Sequence, residues 1–442
     1  MQAATVSDGP RVSPGAGILT VGFGTTVAMW AVGYVGRLPA LLLPSPLLLG
    51  LLLVCQLTGG VVLGRHTGGG WRGGAAAGLL SGTLNLLVLG SFLTGPQANQ
   101  VRPSALLWVP GSILVAGLLG AAGSGLGARF LVRLPFFQDW PAAFARVAIA
   151  ATLLLLAVGG LVTSKEAGLA VVDWPNSFGY NMFLYPFSRM TGPIYYEHAH
   201  RLFGALVGLT TLVLALLLWR LEPRRWVRRI GWLALVMVVI QGILGGLRVT
   251  GRFTMGTTAS QMAPSLTLAL VHGVLAQLFF ATLVALGAFT SPGWRREREP
   301  QVRPSARFDQ WFGVFLVGIV ITQLVLGAAQ RHFKGLLMAH IIMGVAVVAP
   351  LALNAGVRAW GLNPGAPLLQ RLGLALLAGL AVQVALGFAA YVVIGAADSG
   401  AISRTFDVTL STSHQWFGAL LLGLVVTLTC WNFKLLSHRP GC

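Results

Sequence analysis

Four of the eight histidines fall within or beside long apolar runs, where an ionisable side chain is costly and usually functional. The first two are 72 residues apart and the last two 74: His200 and His272, then His340 and His414. Neutral imidazole is a common axial ligand of haem iron, and helix bundles bring such side chains together from facing helices. The spacing therefore predicts two sites in which a histidine pair holds a haem iron. A zinc site would need a third and a fourth ligand, which no residue at a suitable spacing supplies.

A carboxylate accompanies the first pair alone. Glu197 precedes His200 by three residues, so the two side chains share a helix face. Such a carboxylate could stabilise positive charge developing on a substrate, move protons, or complement the positive end of the helix dipole. In the second half, Leu337 stands three residues before His340. We therefore expect one reactive haem in the first half and one structural or electron-transferring haem in the second.

The residues around this carboxylate indicate further contacts. Arg201 could bind a haem propionate bidentately, or it could be an interfacial arginine whose head group lies in water. The long loop 163–199 carries Asp173 and Trp174, followed by several aromatic residues. Long ordered loops are often functional, so this loop could cover the outer mouth of the first site; anchoring at the membrane interface would explain the aromatics equally well. His198 is expected to point to the surface.

The elements that must position these side chains are membrane-spanning helices. Of the 442 residues, 55% are hydrophobic and 9% charged, with a mean hydropathy of +0.78. A soluble domain carries about a quarter charged residues, and the apolar runs are long enough to cross a hydrocarbon core of ~30 Å. The chain is therefore predicted to be an all-α polytopic membrane protein of about twelve helices. Their expected positions are 17–36, 44–64, 74–94, 104–126, 144–163, 200–219, 229–249, 265–289, 310–328, 336–356, 370–394 and 408–432.

The net charge of +19 reflects membrane topology and not the binding of nucleic acid. Basic residues concentrate in short breaks between apolar runs, above all in the loops 219–230 and 290–309, which lie on the same side if there are twelve spans. The positive-inside rule makes that side cytoplasmic. We expect a multi-pass protein of the bacterial plasma (inner) membrane with both termini in the cytoplasm. The three cysteines form no CxxCH motif, so any haem is held without a covalent link.

The last eight spans contain an internal repeat. The first histidine pair corresponds to the second at offsets of 140 and 142, and a Q-x-x-L-G motif at 241–245 recurs at 383–387. Two units of four spans have the same topology, as in parallel repeats related by an axis along the membrane normal. We expect two pseudo-symmetric four-helix bundles. The predicted domains are an N-terminal membrane extension at 1–140, a first haem-binding half at 141–295 and a second at 296–442.

Five segments resemble the haem A synthase family, in the order that the family has them. They are T-S-K-E-A-G-L-A-V-V-D-W-P at Thr163–Pro175, E-H-A-H-R at Glu197–Arg201, L-V-H-G-V-L-A-Q at Leu270–Gln277, A-H-I-I-M-G at Ala339–Gly344 and S-H-Q-W-F-G-A at Ser413–Ala419. The resemblance covers residues 144–432 and implies an eight-helix pseudo-symmetric membrane protein. The four spans before it are extra to the family's eight, and we expect them to form an assembly or partner-docking module.

The resemblance implies roles for the residues singled out above. His200 and His272 would bind the substrate haem with Glu197 assisting, and His340 and His414 would bind a resident haem b. The implied reaction converts the C8 methyl of haem O to the formyl group of haem A for cytochrome oxidase, by successive hydroxylations with oxygen from water. Besides membrane lipid, the implied partners are haem O synthase and cytochrome oxidase assembly factors, with a quinone as one candidate for the electron partner.

Two other functions would use the same histidines. A di-haem cytochrome b would pass electrons between quinone and a partner protein, and a haem carrier or chaperone would bind haem without reacting with it. Glu197, the D-W-P loop and the asymmetry of the two halves favour the enzyme. A secondary transporter fits less well, because the spans lack the broken-helix Gly/Pro pairs and carboxylate relays that such sites use.

Overall fold

The computed structural model describes residues 14–67, 70–130, 139–250, 265–296, 298–398 and 403–438. Within these ranges, twelve helices are long and apolar enough to cross a membrane. Twelve is also the number of spans that the apolar runs predict. The prediction of an all-α polytopic membrane protein is confirmed.

The spans follow one another along the chain with few other elements between them. The first four are α1 (Pro14–Gly36), α2 (Ser45–Thr67), α3 (Gly70–Leu89) and α4 (Ala105–Phe130). The next four are α5 (Trp140–Ser164), α6 (Gly192–Leu221), α7 (Arg225–Thr250) and α8 (Leu266–Thr290), followed by the short helix α9 (Pro292–Arg295). The last four are α10 (Ala306–Phe333), a span built from α11 (Leu337–Ile342), π-helical Met343–Val348 and α12 (Ala349–Gly361), then α13 (Pro367–Asp398) and α14 (Arg404–Leu435).

Two pairs of very short strands lie outside the spans. In the loop between α5 and α6, β1 (Asn176–Ser177) pairs antiparallel with β2 (Tyr180–Asn181). Strand β3 (Gln301–Val302), between α9 and α10, pairs parallel with β4 (Leu436–Ser437), which follows α14. The first pair gives the long α5–α6 loop a fixed hairpin.

Helix α6 begins eight residues earlier than the apolar run predicts, at Gly192 and not at His200. Pro193 stands in the first turn, where its missing N–H costs no helical hydrogen bond. Tyr195 and Tyr196 continue the helix with buried side chains. His200 therefore lies well inside α6, with about two helical turns before it.

One π-helical turn, Met343–Val348, interrupts the span that carries His340. Pro350 follows it and has no N–H to donate into the helix, so the regular hydrogen-bond pattern is already broken at this level. Such π-turns are rare and frequently occur at functional sites. The interruption begins three residues after the histidine.

The chain forms two compact units. The first contains Met1–Ala150, Phe183–Phe187 and Leu216–Glu222, so the boundary falls inside α5 and α6. In this unit α3 and α4 approach closely, and a Cβ on Gly78 would overlap the carbonyl group of Ala116. Small residues at such contacts let membrane helices pack backbone against backbone.

The second unit contains Ala151–Met182, Ser188–Ala215 and Pro223–Cys442. Fully buried leucines of α10, α13 and α14 form much of its core. Helix α8 packs against α10 and α14, and the Trp416 indole of α14 donates to the Leu153 carbonyl oxygen of α5 at 2.9 Å. The division of the last eight spans into two halves stays a prediction.

Candidate functional site

The structure brings the four histidines together in two pairs. His200 on α6 and His272 on α8 have ring centroids 6.3 Å apart and ring planes at 79°. His340 on α11 and His414 on α14 have centroids 6.2 Å apart and planes at 88°. These are the two pairs that the spacing in the sequence suggests.

This separation fits one metal ion between the two rings of each pair. An imidazole nitrogen lies about 2 Å from a metal that it binds, and the ring centre lies about 1 Å farther, so two rings on opposite sides of one ion have centres about 6 Å apart. Among the described residues, no group of three His, Cys, Asp or Glu side chains could hold a metal ion. Two imidazoles, with the remaining ligands supplied by a porphyrin, are a donor set of haem iron. The residues present therefore fit haem.

Each histidine ring rests against a glycine of a neighbouring helix. At Gly159, Gly327 and Gly387 a Cβ would press on the Cε1 edge of the ring, whereas at Gly245 it would make an ordinary van der Waals contact. The four contacts are Gly159 with His200, Gly245 with His272, Gly327 with His340 and Gly387 with His414, with distances of 3.0, 3.5, 2.9 and 2.8 Å between the built Cβ and Cε1.

Both rings of the second pair are also held by glutamines. Gln323 of α10 donates to the carbonyl oxygen of His340 at 3.0 Å, and its amide nitrogen lies 3.1 Å from Nδ1 of that ring. Gln383 of α13 makes the same two contacts with His414, at 3.2 Å each. A group bonded to the second ring nitrogen orients a metal-binding histidine.

Gln241 of α7 holds His272 in the same way. With its amide nitrogen turned toward α8, it donates to the His272 carbonyl oxygen at 3.2 Å and lies 3.0 Å from Nδ1. All three glutamines open a Q-x-x-L-G motif, and the copy at 323–327 adds a third to the two that the repeat relates. A search for that motif alone would have found all three.

Glu197 forms a buried ion pair with Arg201, one turn later on α6. The Nε of Arg201 lies 3.1 Å from Oε1 of Glu197, and both side chains are 7% exposed. Within the described part of the chain, the second oxygen, Oε2, accepts no hydrogen bond. The carboxylate is thus anchored through one oxygen and can offer the other to a bound molecule.

Arg201 also fastens the loop between α5 and α6. Its NH1 group donates to the carbonyl oxygens of Asp173 and Asn176 at 2.6 and 3.0 Å, and NH2 donates to that of Val171 at 2.7 Å. Together with the bond to Glu197, these use four of the five guanidinium hydrogens. Binding of a haem propionate by Arg201 stays a prediction, whereas its attachment to the loop is visible in these bonds.

Asp173 and Trp174 hold the same loop in shape. The two carboxylate oxygens of Asp173 accept the backbone N–H groups of Phe178 and Gly179 at 2.6 and 2.8 Å, which closes the turn between β1 and β2. The Trp174 indole covers Gly246 of α7, where a Cβ would overlap it. Direct roles of Asp173 and Trp174 toward a ligand stay predictions.

The expected surface position of His198 is wrong. Its side chain is 0% exposed, and its Nδ1 lies 3.1 Å from Oγ of Ser177 in β1. The expectation assumed that α6 begins at His200, whereas the earlier start of the helix turns His198 toward the hairpin. His198 therefore contacts the loop and not the solvent.

Arg248, in the last turn of α7, is a candidate that the sequence patterns did not single out. It is half-buried, and in the described part of the chain its Nε has no hydrogen-bond partner. Its charge interacts with Glu197, His200 and His272. A guanidinium nitrogen that is buried without an acceptor is costly, and a carboxylate is the acceptor that suits it best. A lone arginine near the end of an apolar span is the signal that could have found it.

Replacing Arg201 by alanine should loosen the loop without unfolding the helices. The change removes the three bonds to loop carbonyl oxygens, and each bond from a charged donor contributes about 1.5–3 kcal/mol. Amide hydrogen exchange across residues 171–181, measured by mass spectrometry on the full chain, should therefore become at least about 10-fold faster. Arg220→Ala, at the other end of α6, is the control and should leave that exchange unchanged. Equal exchange in both variants would contradict the assignment.

Parts of the chain are similar in sequence to known proteins. Residues 142–340 match the COX15-CtaA family, described as cytochrome oxidase assembly protein. The haem A synthase of Shouchella clausii (strain KSM-K16) is 28% identical over 306 residues, which cover 65% of this chain and 94% of that protein. The haem A synthase of Lysinibacillus sphaericus (strain C3-41) is 34% identical over 108 residues, or 24% of this chain and 34% of that protein. No solved structure matches the chain.

The region that matches the family model contains the structural features described above. It includes Glu197 with its ion-paired Arg201, the hairpin loop, and three of the four paired histidines. Over the matched residues, the chain is similar to the COX15-CtaA family and to two haem A synthases.

Proposed function

We propose that this chain is a haem A synthase, which oxidises the C8 methyl group of haem O to a formyl group. One observation carries the proposal: a carboxylate accompanies one histidine pair and not the other. Glu197 lies one turn before His200, whereas Leu337 has the corresponding position before His340. The family match and the two haem A synthases among the relatives support the same activity.

The two histidine pairs have different tasks in this proposal. His200 and His272 hold the substrate haem O, because Glu197 lies beside them; His340 and His414 hold a resident haem b. The equal ring separations of 6.3 and 6.2 Å support haem at both pairs. Arg248, whose Nε has no hydrogen-bond partner among the described residues, interacts electrostatically with the first pair and is suited to bind a propionate of the substrate.

The residues of the first half suit the oxidation of a methyl group. That conversion takes an oxygen atom from water and releases four protons and four electrons for each formyl group. Glu197 stabilises positive charge on the reacting carbon and takes up protons, while its bond to Arg201 keeps it in position. The loop fastened by Arg201 limits the entry of bulk water. A haem b held by His340 and His414 would supply one-electron transfer, and a membrane quinone would be the final electron acceptor.

The enzyme lies in the bacterial inner membrane with both termini in the cytoplasm. The basic loops 219–230 and 290–309 support this orientation through the positive-inside rule. It puts both haem sites near the outer ends of their helices. Haem O synthase would supply the substrate and cytochrome oxidase assembly factors would receive the product, with the first four spans as the docking module.

A di-haem cytochrome b and a haem carrier are the alternatives, since either would use paired histidines. Neither function needs a carboxylate fixed beside one pair, as Glu197 is by Arg201. A substitution of Glu197 therefore distinguishes the enzyme from these two alternatives.

Complementation tests the proposed activity. In a bacterial strain that lacks its own haem A synthase but keeps haem O synthase, the chain should restore the haem A absorption of cytochrome oxidase in isolated membranes. Membranes that contain the chain with bound haem but no haem A would contradict the proposal.

Replacing Gly387 by alanine should disturb the second haem without unfolding α13. The new Cβ would lie 2.8 Å from Cε1 of His414, so the ring must turn away. Alanine itself favours a helix over glycine by about 1 kcal/mol, so the helix is not weakened. We expect the affinity for haem b at this site to fall at least about 10-fold, measured from the haem content of the purified protein.

Gly395→Ala is the matched control for this change. Gly395 lies on the same helix, and no described atom comes within 4 Å of a Cβ built there. This variant should keep its haem. Equal haem content in both variants would argue against His414 as a ligand.

A further inference from the structure

The four histidine sites are built to one pattern, and a glutamine belongs to it. The residue four places after each histidine is small: Gly204, Ala276, Gly344 and Gly418. A glutamine fills the space beside this small residue in the second half. A Cβ on Gly344 would lie 2.9 Å from the amide nitrogen of Gln323, and one on Gly418 would lie 3.4 Å from that of Gln383. Gln241 occupies the same position beside Ala276.

The site of His200 departs from this pattern. Leu155 has the glutamine position, one turn before Gly159 on α5. The Nδ1 of His200 is buried and has no hydrogen-bond partner among the described residues. Nor does any described atom lie within 4 Å of a Cβ built on Gly204. The space that a glutamine fills at the other three sites is therefore open here.

We propose that His200 is the exchangeable iron ligand of the first haem site, and that Leu155 makes it exchangeable by leaving its Nδ1 without an amide partner. The inference rests on the proposed function, which makes the first site the one that binds substrate. Leu155 is then a positioning residue that acts through His200.

The physical reason lies in the second nitrogen of the ring. When Nε2 of a histidine binds a metal, Nδ1 carries the proton, and an acceptor for that proton fixes the ring and strengthens the ligand. At the other three sites the glutamine amide nitrogen donates to the carbonyl oxygen of the histidine and lies 3.0–3.2 Å from Nδ1, which fixes the ring. A leucine makes neither contact. Loss of such a partner typically weakens metal binding about 10- to 100-fold.

The absence of a glutamine beside His200 fits the binding and release of haem that the first site must allow. A haem A synthase admits haem O and releases haem A at one site in every turnover, while its resident haem stays in the other. At the first site, His272 is held by Gln241 and keeps the substrate oriented, while His200 can leave the iron. At the second site both ligands are held, one by Gln323 and the other by Gln383.

Two matched substitutions test the proposal in the full chain, purified in detergent and loaded with haemin. Leu155→Gln puts a glutamine into the open space beside Gly204, and Gln323→Leu removes the glutamine at the corresponding position of the second half. After reduction, carbon monoxide reports ligand exchange, because it binds only where a histidine leaves the iron. Transfer of haemin to apomyoglobin reports release as a second measurement.

In the wild type, one haem should bind carbon monoxide readily and release haemin quickly. Leu155→Gln should weaken carbon monoxide binding and slow haemin release at that haem by about 10- to 100-fold. Gln323→Leu should open the other haem to carbon monoxide by a similar factor. This second variant needs no new polar group in the membrane, and leucine already has the corresponding position on α5.

Unchanged carbon monoxide affinity in both variants would overturn the proposal. So would an unchanged carbon monoxide affinity of the second haem in Gln323→Leu. A first site that binds no haemin, either in the wild type or in Leu155→Gln, would also overturn it. Haem A formation is measured separately on the same proteins. If the carbon monoxide affinities shift as expected but no haem A forms, the ligand assignment stands and the proposed function fails. If haem A forms but the affinities do not shift, the proposed function stands and the inference about His200 fails.

Discussion

Replacing Glu197 by glutamine is expected to abolish haem A formation while both haems stay bound. General acid–base and electrostatic groups of this kind each contribute about 10²–10³-fold to a rate, so haem A formation should fall by at least about 100-fold. The amide oxygen of a glutamine can still accept the bond from Arg201, which keeps the loop in position. The substitution therefore removes the charge and leaves the architecture. The measurement is the haem A content of cells supplied with haem O, set beside the absorption spectrum of the purified protein.

Glu166→Gln is the matched control for this result. It makes the same chemical change in the loop between α5 and α6, at a side chain that is exposed and not ion-paired to Arg201. This variant should make haem A as the wild type does. Undiminished haem A formation by Glu197→Gln would remove Glu197 from the chemistry and would return the haem carrier and the di-haem cytochrome to equal standing.

Replacing His272 by alanine should have the second large effect, loss of both substrate haem and activity. It removes a proposed iron ligand that Gln241 holds and whose ring lies 6.3 Å, centre to centre, from that of His200. His200 alone cannot hold a six-coordinate haem, so the low-spin signal of the first site should disappear and haem A formation should fall at least about 100-fold. The low-spin signal from His340 and His414 should remain. Electron paramagnetic resonance of the oxidised protein separates the two signals.

His438→Ala serves as the control for the loss of a histidine. That side chain is exposed and contacts the carbonyl oxygen of Pro304, away from both pairs. Both low-spin signals and the activity should persist in it. If His272→Ala kept both signals, the first pair would not be a haem site, and the separation of its rings would have another cause.

The membrane spans could be predicted because their physical signal is local. A helix that crosses a hydrocarbon core needs an uninterrupted apolar stretch, and twelve such stretches are present in the sequence and in the structure. The start of α6 could not be located in this way. Its first turns carry Tyr195, Glu197 and His198, whose polar groups lower the hydropathy although the side chains are buried. Their burial depends on the loop folding back, which no local pattern reveals.

Some features of the candidate site could also be predicted from the sequence and others could not. The histidine pairs follow from repeat spacing, because two similar units put equivalent residues at equivalent depth. The partners of Arg201 do not follow, since they are backbone carbonyl oxygens of Val171, Asp173 and Asn176, and backbone atoms leave no trace in the sequence. The third glutamine motif, at 323–327, was available in the sequence. It does not stand out as a repeat, because its counterpart on α5 has Leu155 in place of the glutamine.

Leu155 shows why both kinds of information are needed. In the sequence it is one leucine in an apolar run. In the structure it lies one turn before Gly159, and Gly159 contacts the ring of His200. This position corresponds to that of the glutamines at the other three sites. Inside a membrane protein each polar atom must find a partner, so a polar partner that is absent carries as much meaning as one that is present.

Chromatography of the haems extracted from cells that make this chain together with a haem O source tests the central claim most directly. The wild type should yield haem A, with any hydroxylated precursor beside it, and Glu197→Gln should yield haem O and haem b without haem A. If the wild type binds haem b yet leaves haem O unmodified in cells able to accept the electrons, the chain is not a haem A synthase.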